Sequence, residues 1–208
     1  MNRFLNKGSN LNIPNILTAF RLLVIPAIMV MLTYKTPLIN FFTGLLFLIA
    51  TLTDIVDGYV ARKYDLVTNL GKLLDPLADK LLVLTALIML IPLGRVPAWI
   101  VVLIVLRETG ITSLRAVAAN EGIVIAASAL GKHKNLFQVI ATIGLIMHHT
   151  YPVAKIKNVP ISLNFHASGM LVMWIALFLT LWSGIDYFVK FYQESSRDKK
   201  SQRRPGSP

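Results

Sequence analysis

An all-α, polytopic membrane architecture is what this sequence predicts, and three observations carry the prediction. The chain is 55% hydrophobic and only 15% charged, with a mean hydropathy of +0.63. A soluble domain of 208 residues could not keep that much apolar surface from water. Apolar runs of about 20 residues, the length that crosses a hydrocarbon core, recur along the chain. The basic residues fall mainly in alternate connections between those runs.

Six helices are expected, at 13–34, 38–62, 72–92, 97–119, 133–151 and 162–190. The first opens at Pro14 and carries Arg21 inside it, with no small-residue cleavage site after it, so it does not read as a removable signal peptide. The second ends in a charged run. In the third, Asp75-Pro76 either starts the helix, with Asp as cap and Pro at its first position, or kinks one that began near Gly71. The fourth carries Arg107, Glu108 and Arg115, and the fifth follows a polar interval and carries Lys134 near its start. Trp99, Trp174 and Trp182 read as interfacial anchors or packing residues.

Six spans put both ends of the chain on one side. With that side cytoplasmic, its segments hold Arg3, Lys7, Arg62, Lys63, Lys72, Arg115, Lys132, Lys134 and the tail after Lys190, against Lys35, Arg95, Lys155 and Lys157 opposite. The expected organisation is a short juxtamembrane segment over 1–12, one membrane domain over 13–192, and a basic, disordered tail over 193–208. The net charge of +11 is scattered between spans, which favours anionic headgroups or a phosphorylated substrate over nucleic acid. With no cysteine, thiolate chemistry and Cys-based metal sites are excluded.

Against this background the stretch "TDIVDGYVARKYDLVTNLGKLLDPLADK" (53–80) is anomalous. It holds Asp54, Asp57, Asp65, Asp75 and Asp79, half of the ten acidic residues. Asp54 and Asp57 are three apart, and Asp75 and Asp79 four apart, so each pair shares a helix face. A short loop lets the two pairs converge from antiparallel neighbours. Each such carboxylate costs about 2.5–3.5 kcal/mol at membrane depth, so four together need a cationic partner. Oxygen ligands without His or Cys favour a hard ion, Mg²⁺ or Mn²⁺. Four carboxylates on two ions leave coordination positions for phosphate oxygens, the arrangement for in-line displacement at phosphorus. Gly58 and Ala61 leave room beside the first pair, Arg62 suits a phosphate, and Gly71 lets the second helix come close. Asp65 falls outside the spacing and reads as a loop residue.

The pattern D-x-x-D-G-x-x-A-R, eight residues, G-x-x-x-D-x-x-x-D resembles the signature of the CDP-alcohol phosphatidyltransferases. Asp54, Asp57, Gly58, Ala61, Arg62, Gly71, Asp75 and Asp79 fill all of its fixed positions. The resemblance implies transfer of a phosphatidyl or similar group from a CDP-linked donor to an alcohol, with release of CMP. It implies that Asp54, Asp57, Asp75 and Asp79 hold two Mg²⁺ or Mn²⁺ ions and that Asp79 is also the general base. Gly58, Ala61, Arg62 and Gly71 would border the CDP moiety, and a homodimer is implied as well.

For the acceptor, "NIPNILTAFRLLVIP", "LVTNLGKLLDPLADKLL" and "LRETGITSLRAVAANEG" resemble the bacterial phosphatidylglycerophosphate synthase branch of that family. Arg107-Glu108 matches its Arg-Glu. Gly131, Lys132 and Lys134 match a Gly-Lys-x-Lys-Thr whose Thr is Asn135 here. Arg107, Arg115, Lys132 and Lys134 form a cationic group suited to an anionic acceptor, sn-glycerol 3-phosphate. The implied location is the bacterial cytoplasmic membrane, with the site at the cytoplasmic face. Alternatives are another acceptor (inositol phosphate, serine or phosphatidylglycerol), a membrane prenyltransferase, and a cation transporter. The last two fit less well: the acidic motif is one continuous stretch at one face, with no internal repeat. His148 and His149 fall on the side away from the aspartates and read as interfacial, His166 on that side has no assigned role, and His133, between the two lysines, reads as a loop residue.

Overall fold

The computed structural model describes residues 13–63, 69–120, 129–156 and 159–202, with side chains described for 17–53, 77–120, 134–151 and 162–195. Among them are six α-helices: α1 Ile13–Leu32, α2 Pro37–Lys63, α3 Asn69–Leu90, α4 Ala98–Asn120, α5 Ala129–Met147 and α6 Phe165–Gln202. A two-stranded hairpin, β1 Thr150–Ile156 and β2 Val159–Asn164, lies between the last two helices. The helices follow the apolar runs because a helix satisfies the hydrogen bonds of a buried backbone within the segment itself.

The helix ends have local causes. Pro37 occupies the first position of α2, where a missing N–H costs nothing. Gly94, at a φ of 69°, makes the tight turn between α3 and α4 that a side chain would strain. The Asn164 side chain accepts from the Ala167 N–H at 3.1 Å, capping α6. Helix α3 begins at Asn69, so Asp75-Pro76 lies inside it and does not start it.

Several boundaries differ from the sequence expectation, among them the ends of the fifth and sixth helices. The fifth helix was expected to reach 151, but α5 stops at Met147 because His148 takes a φ of 53°. Beyond it, β-branched Thr150, Val153 and Ile156 with Pro152 favour extended backbone over helix. The chain pairs antiparallel from Thr150↔Asn164 to Ile156↔Val159, with a register shift between Pro152 and Ala154. At the other end of the chain, α6 runs to Gln202, through part of the expected tail. No Pro or Gly interrupts residues 185–202, and Lys190 pairs with Asp186 at 2.7 Å one turn away.

Helix α1 packs on α2 and α3, α5 on α6, α2 and α3, and α4 on α6 and α3. The closest crossing is between α5 and α6. A Cβ on Gly144 would lie 2.8 Å from Gly169 Cα, so the two backbones touch. The core runs through Ile28, Leu32, Phe47, Leu87, Leu90, Ile100, Ile104, Leu145, Ile146 and Met173, all fully buried or nearly so.

Polar residues are buried among this apolar core, and large apolar side chains lie on the outside. Arg21, Asn40, Thr43, Lys134, Gln138, Thr142, Thr180 and Ser183 are buried, while Leu23, Leu38, Leu106, Phe178, Trp182 and Ile185 are each more than half exposed. Several hydroxyls bond back to their own helix, as Thr43 does to the Ile39 carbonyl at 2.7 Å. The apolar stretch Phe165–Ser195 of α6 is long enough to cross a membrane: its 31 residues span about 46 Å at 1.5 Å per residue. Trp99 and Trp174 lie on the outside with ring centroids 5.4 Å apart.

Candidate active site

Asp54, Asp57, Gly58, Ala61 and Arg62 lie in the last turns of α2, and Gly71, Asp75 and Asp79 in the first turns of α3. Asp57 is six residues before the end of α2, and Asp75 six after the start of α3. Each is therefore about 9 Å from its helix end, at comparable depth on two consecutive helices. Of these residues only Asp79 has a described side chain; Asp65 lies outside the described residues.

Asp79 is half-buried and lines a cavity of about 50 Å³ between α3, α4 and α5. Lys80, Glu108, Asn135 and Gln138 line it too, with Val83, Leu84 and Val139 as its apolar wall. The oxygens offered beside Asp79 are carboxylate and amide, with no imidazole or sulfur among the lining residues, a donor chemistry that suits a hard cation. Among the described residues no three metal-ligating side chains gather at one point. Asn135, at the Thr position of the Gly-Lys-x-Lys-Thr pattern, faces the same cavity.

The expected cations divide into two sets. Lys134 is buried and donates to Glu108 Oε1. Arg107 NH1 donates to the same oxygen at 3.1 Å, and its NH2 donates to Ser183 Oγ on α6 at 2.9 Å. Arg115 is exposed and lies over the Tyr187 ring, 5.4 Å from its centroid. Lys132 lies in the first turn of α5, and its side chain is not among those described. Lys80, which the sequence reading passed over, donates to Thr112 Oγ1 and interacts electrostatically with Arg107, Arg115 and Asp79. Lys134 feels Arg107, Lys80 and Asp79 in turn, so the basic group and the base-position carboxylate share one field. Arg21 is fully buried in α1.

Glu108 is the other residue to which the sequence reading gave no role in the site. The available signal was an acidic residue inside an otherwise apolar helix segment, which is expensive unless it has partners.

At the opposite end of the bundle, Arg95 is buried and donates to the Ile146 carbonyl at 2.7 Å, closing the C-terminus of α5. His148 Nδ1 and His166 Nδ1 are 3.1 Å apart, and Asn40 holds His149 Nε2 at 3.0 Å. Burial holds the His148 pKa below its ordinary value, with Arg95, His166 and His149 adding to the effect.

Helices of this order, with a complete D-x-x-D-G-x-x-A-R and G-x-x-x-D-x-x-x-D signature on α2 and α3, define a class. Residues 11–182 match the CDP-alcohol phosphatidyltransferase model, and the chain belongs to that family. Its relatives narrow the class. A Bacillus subtilis (strain 168) protein named CDP-diacylglycerol–glycerol-3-phosphate 3-phosphatidyltransferase is 41% identical over 194 residues, covering 88% of this chain and 96% of its own. One of the same name from Rickettsia bellii is 38% identical, covering 85% and 93%. A probable phosphatidylglycerophosphate synthase from Mycobacterium tuberculosis is 37% identical, covering 86% and 81%.

Proposed function

We propose that this protein transfers the phosphatidyl group of CDP-diacylglycerol to sn-glycerol 3-phosphate, giving phosphatidylglycerophosphate and CMP. The observation that carries the reading is the complete acidic signature on two consecutive helix ends, in a chain whose relatives bear that enzyme name over most of their length. The cations beside Asp79 support the choice of a phosphorylated acceptor over serine or another neutral alcohol.

In this reading all six helices cross the bacterial cytoplasmic membrane, both termini are cytoplasmic, and the protein works as a homodimer. The membrane domain covers 13–192, between a short leading segment and a basic tail. The apolar exterior of the bundle supports the spans, and the distribution of Lys and Arg supports the orientation.

Asp54, Asp57, Asp75 and Asp79 would hold two Mg²⁺ or Mn²⁺ ions, which when bound neutralise the diphosphate and stabilise the departing CMP. Gly58, Ala61 and Gly71 leave space for the cytidine nucleotide, and Arg62 pairs with its phosphates. Lys132, Lys134, Arg107 and Arg115 attract and orient the acceptor phosphate, leaving a terminal hydroxyl toward Asp79. Asp79 takes the proton of that hydroxyl as its oxygen bonds to the phosphatidyl phosphorus and the bond from that phosphorus to CMP breaks. Val83, Leu84 and Val139 beside Asp79 keep one wall of the cavity dry, which favours the acceptor hydroxyl over water.

Purified protein given CDP-diacylglycerol, Mg²⁺ and labelled glycerol 3-phosphate should release CMP and form labelled phosphatidylglycerophosphate. CMP release with inositol phosphate, serine or phosphatidylglycerol in place of glycerol 3-phosphate reassigns the acceptor. No release with any acceptor refutes the transferase.

A further inference from the structure

We infer that Glu108 is a positioning residue for the acceptor: from the wall of the Asp79 cavity it holds the neighbouring buried Lys134 ammonium, whose charge draws in the acceptor phosphate. The inference rests on the transfer reaction proposed above. A single oxygen, Glu108 Oε1, accepts from both Lys134 Nζ and Arg107 NH1. Arg107 is in turn held from the other side by Ser183, whose Oγ donates to the Thr180 carbonyl at 3.1 Å. The chain of contacts therefore runs Ser183 on α6, Arg107 and Glu108 on α4, Lys134 on α5. Helix α4 packs on α3 and α6, whereas α5 packs on α2, α3 and α6. The Glu108–Lys134 pair thus bridges two helices that do not pack extensively on each other, at the cavity lined by Asp79 and Glu108.

Two physical consequences follow. A free lysine side chain loses its rotamer freedom when it is fixed on a ligand, and anchoring it before the substrate arrives removes that cost from binding. Glu108 also supplies the carboxylate that keeps the buried Lys134 and the partly buried Arg107, with Lys80 nearby, from repelling one another. Arg107 is thus fixed from two sides, by Glu108 through NH1 and by Ser183 through NH2. The donor nucleotide, assigned to Gly58, Ala61, Arg62 and Gly71, does not depend on this chain of contacts.

The test compares Glu108→Gln, Glu108→Ala and Glu108→Asp with the unaltered protein by steady-state kinetics, varying each substrate separately. Glu108→Gln keeps size and one acceptor oxygen but loses the charge, and guards against an Ala variant that fails to fold. Losing a charge-assisted hydrogen bond corresponds to about a 10- to 100-fold effect. The expected result is a rise of that order in the KM for glycerol 3-phosphate in the Gln and Ala variants. The KM for CDP-diacylglycerol and kcat at saturating acceptor stay close to those of the unaltered protein, and Glu108→Asp recovers part of the acceptor affinity. An unchanged acceptor KM overturns the inference. So does a parallel rise in both KM values with lost heat stability, which marks a merely structural role. A collapse of kcat at unchanged acceptor KM overturns it as well, and points to direct work on the reacting groups. No CMP release by the unaltered protein would refute the reaction itself, whereas normal turnover with an unchanged acceptor KM in the variants removes only the role of Glu108.

Discussion

Glycine-to-alanine substitution should change sign with position in this bundle, and the crossing of α5 and α6 is where the effect is largest. A Cβ on Gly169 would lie 2.9 Å from the Gly144 carbonyl carbon and the Leu145 nitrogen, and 3.2 Å from the Ala141 oxygen. All three are backbone atoms, which cannot turn aside as a side chain can. To restore ordinary contact the helices must separate by about 0.5 Å, and a gap of that size forfeits roughly a quarter of each dispersion well along the seam. Overpacking of this kind costs about 1–3 kcal/mol, against a gain of at most about 1 kcal/mol from removing a helical glycine. At Gly110 in α4, by contrast, a Cβ would meet nothing within 4 Å, so Ala there keeps the whole propensity gain. For a chain of this length 1 kcal/mol corresponds to about 2–4 °C in Tm. Thermal unfolding in detergent should therefore show Gly169→Ala lowered by up to about 8 °C and Gly110→Ala raised by about 1–4 °C. Equal shifts of one sign, or an unchanged Gly169→Ala, would refute the close-crossing argument.

Three further outcomes are expected. Asp79→Asn should lower kcat by about 10²–10⁴-fold, the range for losing a general base, while much of the donor binding survives; undiminished CMP release would exclude Asp79 as the base. Chelation with EDTA should abolish CMP release and added Mg²⁺ or Mn²⁺ should restore it, an outcome checked by a simple add-back titration. His148 has a folded pKa below its ordinary 6.5, so as pH falls the unfolded chain takes up the proton first. The stability it contributes is full above about pH 6.5 and is lost as pH falls from there toward the folded pKa. Tm measured between pH 7.5 and pH 5 should therefore decline less steeply in His148→Gln, and identical slopes would count against the shift.

Much of the fold was legible because helix formation here is local. Apolar runs of spanning length gave the α2 and α4 boundaries to within a residue or so: 38–62 against Pro37–Lys63, and 97–119 against Ala98–Asn120. The hairpin was missed because the pairing of "TYPVAKI" with "VPISLN" is a contact between separate segments that periodicity does not register. In the third helix, the choice between a start and an interior position for Asp75-Pro76 was open in sequence, and the helix beginning at Asn69 decides for the interior.

The candidate site divides along the same line. The sequence by itself determined the family and the pairing of Asp54 with Asp57 and of Asp75 with Asp79, because spacings of three and four along a helix place carboxylates on a shared face whatever surrounds them. It also supplied the inventory of cations, since Lys and Arg between apolar runs are conspicuous. Only the tertiary structure decided how those cations are used. It gives Lys134 and Arg107 to one oxygen of Glu108, sends Arg107's other arm to Ser183, and lays Arg115 over Tyr187. The physical reason is range. A salt bridge or hydrogen bond acts over a few ångströms of space, and residues 26 or 76 positions apart in the chain come within that reach only when α4, α5 and α6 have packed.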